Sequence, residues 1–235
     1  MAKHVNPFAE DDLPPFDGFP KDTLRFLSAL KKNNNREWFT ANKDRYENSV
    51  KAPMESLLST LGAKLRTFDP DIAIEPKKAM YRIYRDIRFS ADKTPYKTHA
   101  AAAFTYKGTD RKYGAAFYFH IAPGELGIGG GLYAPSSDQL KSLRENIARE
   151  HKQLTKILSE KKFVRHYGEL WGDLLTRVPA GYPADHPAAD LLRRKQFLCW
   201  TSLKPDVIHD STFVAFLADH VQAMAPFVKW LAGRS

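Results

Sequence analysis

Cysteine is almost absent: Cys199 stands alone among 235 residues. That excludes an intramolecular disulfide and a Cys-rich zinc site, and it fits a reducing compartment. Long apolar runs are missing as well. None approaches the roughly 20 residues of a membrane span, and the polar opening MAKHVNPFAEDD has no signal-peptide apolar region. A cytoplasmic protein with no membrane partner is therefore expected. Signatures of chemistry are equally scarce. No GxSxG elbow offers a serine nucleophile, no Walker-type glycine loop cradles phosphates, and no HxH or HExxH spacing suggests a metal. The run GIGGG at 127–131 lacks the third glycine and the following helix of a dinucleotide fingerprint. Neither a metal nor a cofactor is expected.

What the chain has in excess is positive charge. Lys and Arg number 36 against 27 Asp and Glu, a formal net charge of +9. Such an excess points to an anionic partner: nucleic acid, an acidic surface, or a phosphorylated or carboxylated small molecule. Otherwise the composition is that of a globular chain, 43% apolar and 27% charged. Its length is ample for a hydrophobic core.

Residues 1–15, with the acidic run 10–12 and Pro14-Pro15, read as a flexible N-terminal tail. From Phe16 onward no linker separates domains and no fixed period recurs, so 16–235 is expected to be one domain. Residues 20–67 are helical in pattern, with Leu24, Leu27 and Leu30 at helical spacing. Asn34 with Glu37 is expected to cap a segment carrying Trp38, Phe39, Tyr46 and Val50, and Pro53 suits the first turn of the next helix. Past Pro70 the period changes. Residues 98–106, 113–121 and 126–133 read as antiparallel hairpin strands, and 80–89 as a strand before them. Residues 137–149 and 153–167 return to helical spacing, with Ser136 or Ser137 as N-cap. Residues 197–203 suit a short edge strand, and 211–231 a final helix interrupted by Pro226. The class is α+β: an antiparallel meander of about 4–5 strands flanked by N-terminal and C-terminal helices.

Strand alternation assigns faces. If Tyr106 lies opposite Tyr113, then Phe104, Phe117 and Phe119 share the core side, and His99 faces His120 on the other. The next hairpin sets Gly127, Gly129 and Gly131 beside them. In the strand 80–89, Ile83, Ile87 and Phe89 then belong in the core. Arg82, Tyr84, Asp86 and Arg88 join the histidines, and Arg85 is a misfit that either lies near the sheet end or pairs with an acid. Two readings of this face stand. Ala and Gly either let another element pack closely over a polar network, or floor a shallow pocket ringed by cations.

Four stretches carry a family resemblance: RIYRDIRFSADKTPYKTH at 82–99, NNNREWFTANKDRYE at 33–47, FHIAPGELGIGGGLY at 119–133 and GYPADHPAADLLRRKQF at 181–197. Together they resemble the domain-of-unknown-function family 2461, a set of conserved hypothetical bacterial proteins, over about Phe16 to Leu231. The resemblance implies a single α+β domain and brings no activity with it.

The leading functional expectation is a small anionic ligand on the polar sheet face. Arg82, Tyr84, Arg88, Lys93, Tyr96, Lys97 and Tyr118 would bind it, with the loop 90–97 as a flap. His99 and His120 would be acid and base, oriented by Asp86, since imidazole titrates near neutrality. The rival is a non-enzymatic nucleic-acid or partner-binding module. Residues 141–165 hold eight Lys or Arg against three Glu, and Lys141, Arg144, Arg149, Lys152 and Lys156 could line one side of a helix. Cys199, within FLCW, is expected to be buried and inert. His186 is expected at a helix start capped by Asp185.

Overall fold

A computed structural model describes residues 13–234. Residues 1–12 of the expected tail therefore lie outside the described residues; just beyond them, the carbonyl of Pro14 accepts a hydrogen bond from Ser56 Oγ at 2.7 Å. The helices α1 (Asp22–Lys32), α2 (Arg36–Ala41), α3 (Lys43–Tyr46) and α4 (Ala52–Arg66) come first, with a π-helical turn over Glu47–Lys51. Then follow β1 (Ile72–Ala73), α5 (Pro76–Ala79), β2 (Ala100–Tyr106), β3 (Ala116–Ala122) and β4 (Glu125–Leu132). The chain ends with α6 (Ser137–Ser159), α7 (Lys161–Tyr167), α8 (Ala189–Leu192), β5 (Phe197–Leu203), a 3₁₀ turn and α9 (Phe213–Leu231). The strands form one antiparallel meander in the order β1-β2-β3-β4-β5, so the α+β architecture flanked by helices is the observed one.

The residues gather into two compact units. The first takes the described residues through Ala103 together with His120–Leu126 and Leu203–Ala218. Its helical part buries Phe26, Leu27 and Leu30 from α1 and Met54, Leu57, Leu58, Leu61 and Leu65 from α4, the three- and four-residue spacing that gives a helix one apolar stripe. Pro53 sits in the first turn of α4, where its missing N–H costs nothing. Asp22 on α1 accepts two hydrogen bonds from Arg45 at 2.6 and 2.7 Å and one from Ser49. These donors hold its carboxyl below the usual range. The cap of α2 is Asn35, whose Oδ1 accepts from the Trp38 amide at 2.9 Å, one residue later than the sequence suggested.

The second unit takes Phe104–Phe119, Gly127–Ser202 and Asp219 onward. Phe117 contacts both Phe104, at 5.2 Å, and Tyr106, at 5.6 Å between ring centroids. Phe117, Phe119 and Ile121 are buried, whereas Ala116, Tyr118, His120 and Ala122 are half-buried, so β3 has the faces that alternation assigned it. Helix α6 starts on a capping box made by Ser136 and Gln139 and loses helical geometry at Glu150. Cys199 lies buried beside Gly130 and Met224, and burial pushes its thiol up to about 12. The cap expected from Asp185 is not made: α8 begins at Ala189, and His186 Nδ1 accepts from the Ala188 amide at 3.0 Å.

The segment 80–89 departs most from expectation. It is not a sheet strand; that place is taken by Ile72–Ala73. Met80 bridges Ala102, the Tyr81 amide bonds the Ala101 carbonyl, the Lys97 amide bonds Ile83, Tyr84 bridges Tyr96, and the Arg85 amide bonds Pro95. Residues 80–102 therefore double back as a narrow two-stranded ribbon with its turn near 86–94. Ile83 is buried, as alternation required, but Phe89 is 96% exposed. The physical reason is that a ribbon stabilised by its own cross-links has no second layer beneath its tip to bury the alternate residues.

Candidate functional site

The ribbon fixes most of the candidate residues. Arg85, the misfit, finds its acid within the ribbon: its guanidinium bonds Asp92 and Thr94 and lies 3.4 Å from Ser90 Oγ. Arg88 donates two bonds to Asp86, at 2.9 and 2.7 Å, and holds that carboxyl down at about 2. Lys93 Nζ donates to the Ile87 carbonyl and Lys97 Nζ to the Arg82 carbonyl, both at 2.9 Å. Tyr96 is buried rather than presented. Its ring stacks on Phe39 at 4.1 Å, and the amide of Asn34 brackets its backbone with bonds of 2.9 and 3.0 Å. Arg82 and Tyr84 are exposed.

His99, one residue before β2, and His120 on β3 stand 5.5 Å apart between ring centroids, as the hairpin argument required. Burial first, then the positive charges of His120 and Lys97, lower the His99 pKa to about 4; Glu125 opposes them weakly. His99 is therefore neutral at pH 7. His120 lies 3.5 Å from Glu125 Oε2, with 16% of its side chain exposed. The structure thus brings together His99, His120, Lys97 and Glu125, all in the first unit. Glu125 was missed by sequence reading, although a two-residue turn at Pro123-Gly124 places it one strand over from the histidine. Asp86 is engaged with Arg88 near the ribbon tip, and Tyr118 belongs to the second unit, where its ring lies 6.0 Å from Trp200.

The small residues of the strands are buried within their own units. Ala101 and Ala103 are 2% and 3% exposed, and Gly127, Gly129 and Gly131 are buried. A Cβ at Gly129 would collide with the carbonyl of Cys199, and one at Gly131 with that of Phe197. These glycines let β5 approach β4 closely as its neighbour in the sheet.

On α6 the basic row is divided. Arg144 is half-buried, with bonds to the carbonyls of Leu192 and Arg194 at 2.9 and 3.3 Å. Arg149 bonds Glu150 and Asn146. Lys141, Lys152 and Lys156 are exposed, but the break at Glu150 separates the first from the other two. A second titratable cluster, unforeseen because its members come from distant segments, links α7 and α9. Asp219 accepts from Lys162 at 2.7 Å and meets His166 Nε2 at 2.9 Å, while the His166 and His220 rings lie 4.2 Å apart. His220 is 4% exposed, and burial together with His166 lowers its pKa to about 4. Among the described residues, no three His, Cys, Asp or Glu side chains are grouped so as to hold a metal ion, and no helix is long and apolar enough to cross a membrane.

The model of the conserved hypothetical protein family DUF2461 matches residues 22–230. The chain belongs to that family. No curated protein matches it. The DUF2461 match covers the ribbon, the histidine pair and the α7–α9 cluster alike, and so favours none of them by position.

Proposed function

We propose that this DUF2461 protein binds a small anionic ligand, phosphorylated or carboxylated, at the His99–His120 pair. The observation that carries the reading is the neutral His99 facing His120, with the charge of Lys97 felt at its ring. Burial first, then the neighbouring positive charges, keep His99 neutral, and an anion arriving at the pair offsets both because it favours the charged form. Arg82, whose carbonyl holds Lys97 Nζ, is the next cation along the ribbon. In proton transfer the neutral His99 is the acceptor, with His120 and Glu125 as its neighbours.

A thermal-shift screen against inorganic phosphate and panels of phosphorylated and carboxylated metabolites tests this. A concentration-dependent rise in melting temperature is expected, at least tenfold weaker in Lys97→Gln and in His99→Asn. A ligand whose shift survives both substitutions places the site elsewhere. Silence across both panels overturns the reading.

A further inference from the structure

We propose that the ribbon 80–102 presents a DNA-binding tip that inserts Phe89 as a wedge between base pairs of a duplex. Four observations converge on its tip. First, Phe89 is 96% exposed at the turn of a two-stranded ribbon, and Arg82, Tyr84, Asp86, Arg88, Ala91, Asp92 and Lys93 are exposed around it. A lone exposed Phe is ordinary on a protein surface; one held at a ribbon's tip is not. Second, the tip is braced: Arg85 ties to Asp92 and Thr94, Asp92 accepts from the Thr94 amide, Lys93 reaches the Ile87 carbonyl and Arg88 closes on Asp86. Such cross-links fix the backbone that carries the ring before any partner arrives and lower the entropy lost on binding.

Third, residues 82–97 carry five Lys or Arg against two Asp, and both carboxylates are already paired with arginine. The tip can thus approach phosphates without an uncompensated anion. Fourth, the ring stands free on all sides except for the Arg88 guanidinium, 5.8 Å from its centroid. Single-stranded sites stack successive bases on several aromatic side chains along a basic groove, whereas a lone apolar side chain among cations is what pries a base step open. A two-stranded ribbon also fits a duplex groove.

The full-length chain is titrated into a fluorescein-labelled 20-base-pair duplex between about 20 and 150 mM salt, followed by anisotropy, and into the same duplex carrying 2-aminopurine. Expected results are binding that weakens with salt, a logarithmic slope of about −2 to −3 for two or three phosphates, and a 2-aminopurine signal that brightens as its step unstacks. Phe89→Ala should weaken binding roughly tenfold, as loss of one base–aromatic contact does, and abolish the brightening. Because Phe89 is almost wholly exposed, that variant should melt as the parent does. Arg82→Ala with Lys93→Ala should flatten the salt slope by about two. Absence of binding at low salt, equal affinity of Phe89→Ala, or preference for a single-stranded oligonucleotide or phosphatidylserine vesicles over the duplex overturns the proposal. Phe89→Ala, which leaves the His99–His120 pair in place, should keep any phosphate or metabolite thermal shift of the parent, so the two readings fail separately.

Discussion

At Gly131 the backbone has φ of +123°, and the position a Cβ would take is already filled by the Phe197 carbonyl and, at 3.1 Å, by the Phe227 ring. Gly124, in the turn between β3 and β4, has φ of +88° with open space around it. The two positions separate conformational strain from steric exclusion. Alanine at Gly124 meets only the strain, on the order of 1–2 kcal/mol. Alanine at Gly131 meets strain and a backbone that must move, so about 3 kcal/mol or more is expected. Urea denaturation of both variants checks this; equal losses would mean that β5 yields easily. Here the sequence was read correctly: glycines in a strand signalled a close backbone. What it could not show was which strand would come close, because β5 arrives from 65 residues away in the chain.

Asn34 and Asn35 show how an element boundary escapes a local motif. Three consecutive asparagines all have the chemistry of a cap, and only the tertiary partner decides which one is spent elsewhere. Asn35 caps α2 while Asn34 holds both backbone groups of Tyr96, 62 residues on. Asn35→Ala should cost about 1 kcal/mol, the ordinary worth of an exposed cap. Asn34→Ala should cost more, about 2 kcal/mol, because it orphans an N–H and a C=O that water reaches poorly. It should also speed amide exchange at Tyr96, a local readout that Asn35→Ala leaves unchanged. The ribbon beside it was misread for a related reason. Ile83, Ile87 and Phe89 alternate as a half-buried strand does, yet alternation reports only that faces differ, not that a second layer covers one of them. The hairpin strands were legible because phenylalanines on successive strands agreed on one face. The ribbon had no such partner to check against.

Across the whole molecule, the histidines tie stability to pH in both units at once. His99, faced by His120, Lys97 and Glu125, and His220, faced by His166, Asp219 and Lys162, each have a folded pKa of about 4. The unfolded chain titrates near the ordinary 6.5. Between these values the unfolded state takes up a proton at each site that the folded state refuses, so stability is full above about pH 6.5 and falls as pH drops toward 4. With slopes near 1.4 kcal/mol per pH unit per site, the combined loss by pH 5 is on the order of 3–4 kcal/mol. The carboxylates held low, among them Asp22 and Asp219, act in the opposite pH region: their contribution is intact above the usual carboxylate range and is lost only as pH falls through their depressed values. Glu55, whose carboxyl pKa is raised by burial, adds stability as pH falls and so acts with the opposite sign, which leaves the loss between pH 6.5 and 4 to the imidazoles. Urea unfolding at pH 7, 6 and 5 should show the parent weakening steeply. His220→Asn should halve the slope, and His99→Asn with His220→Asn should nearly flatten it, whatever each substitution costs at pH 7. If the double variant kept the parent's slope, the protons would be entering elsewhere, and the neutral His99 on which the anion site depends would lose its physical basis.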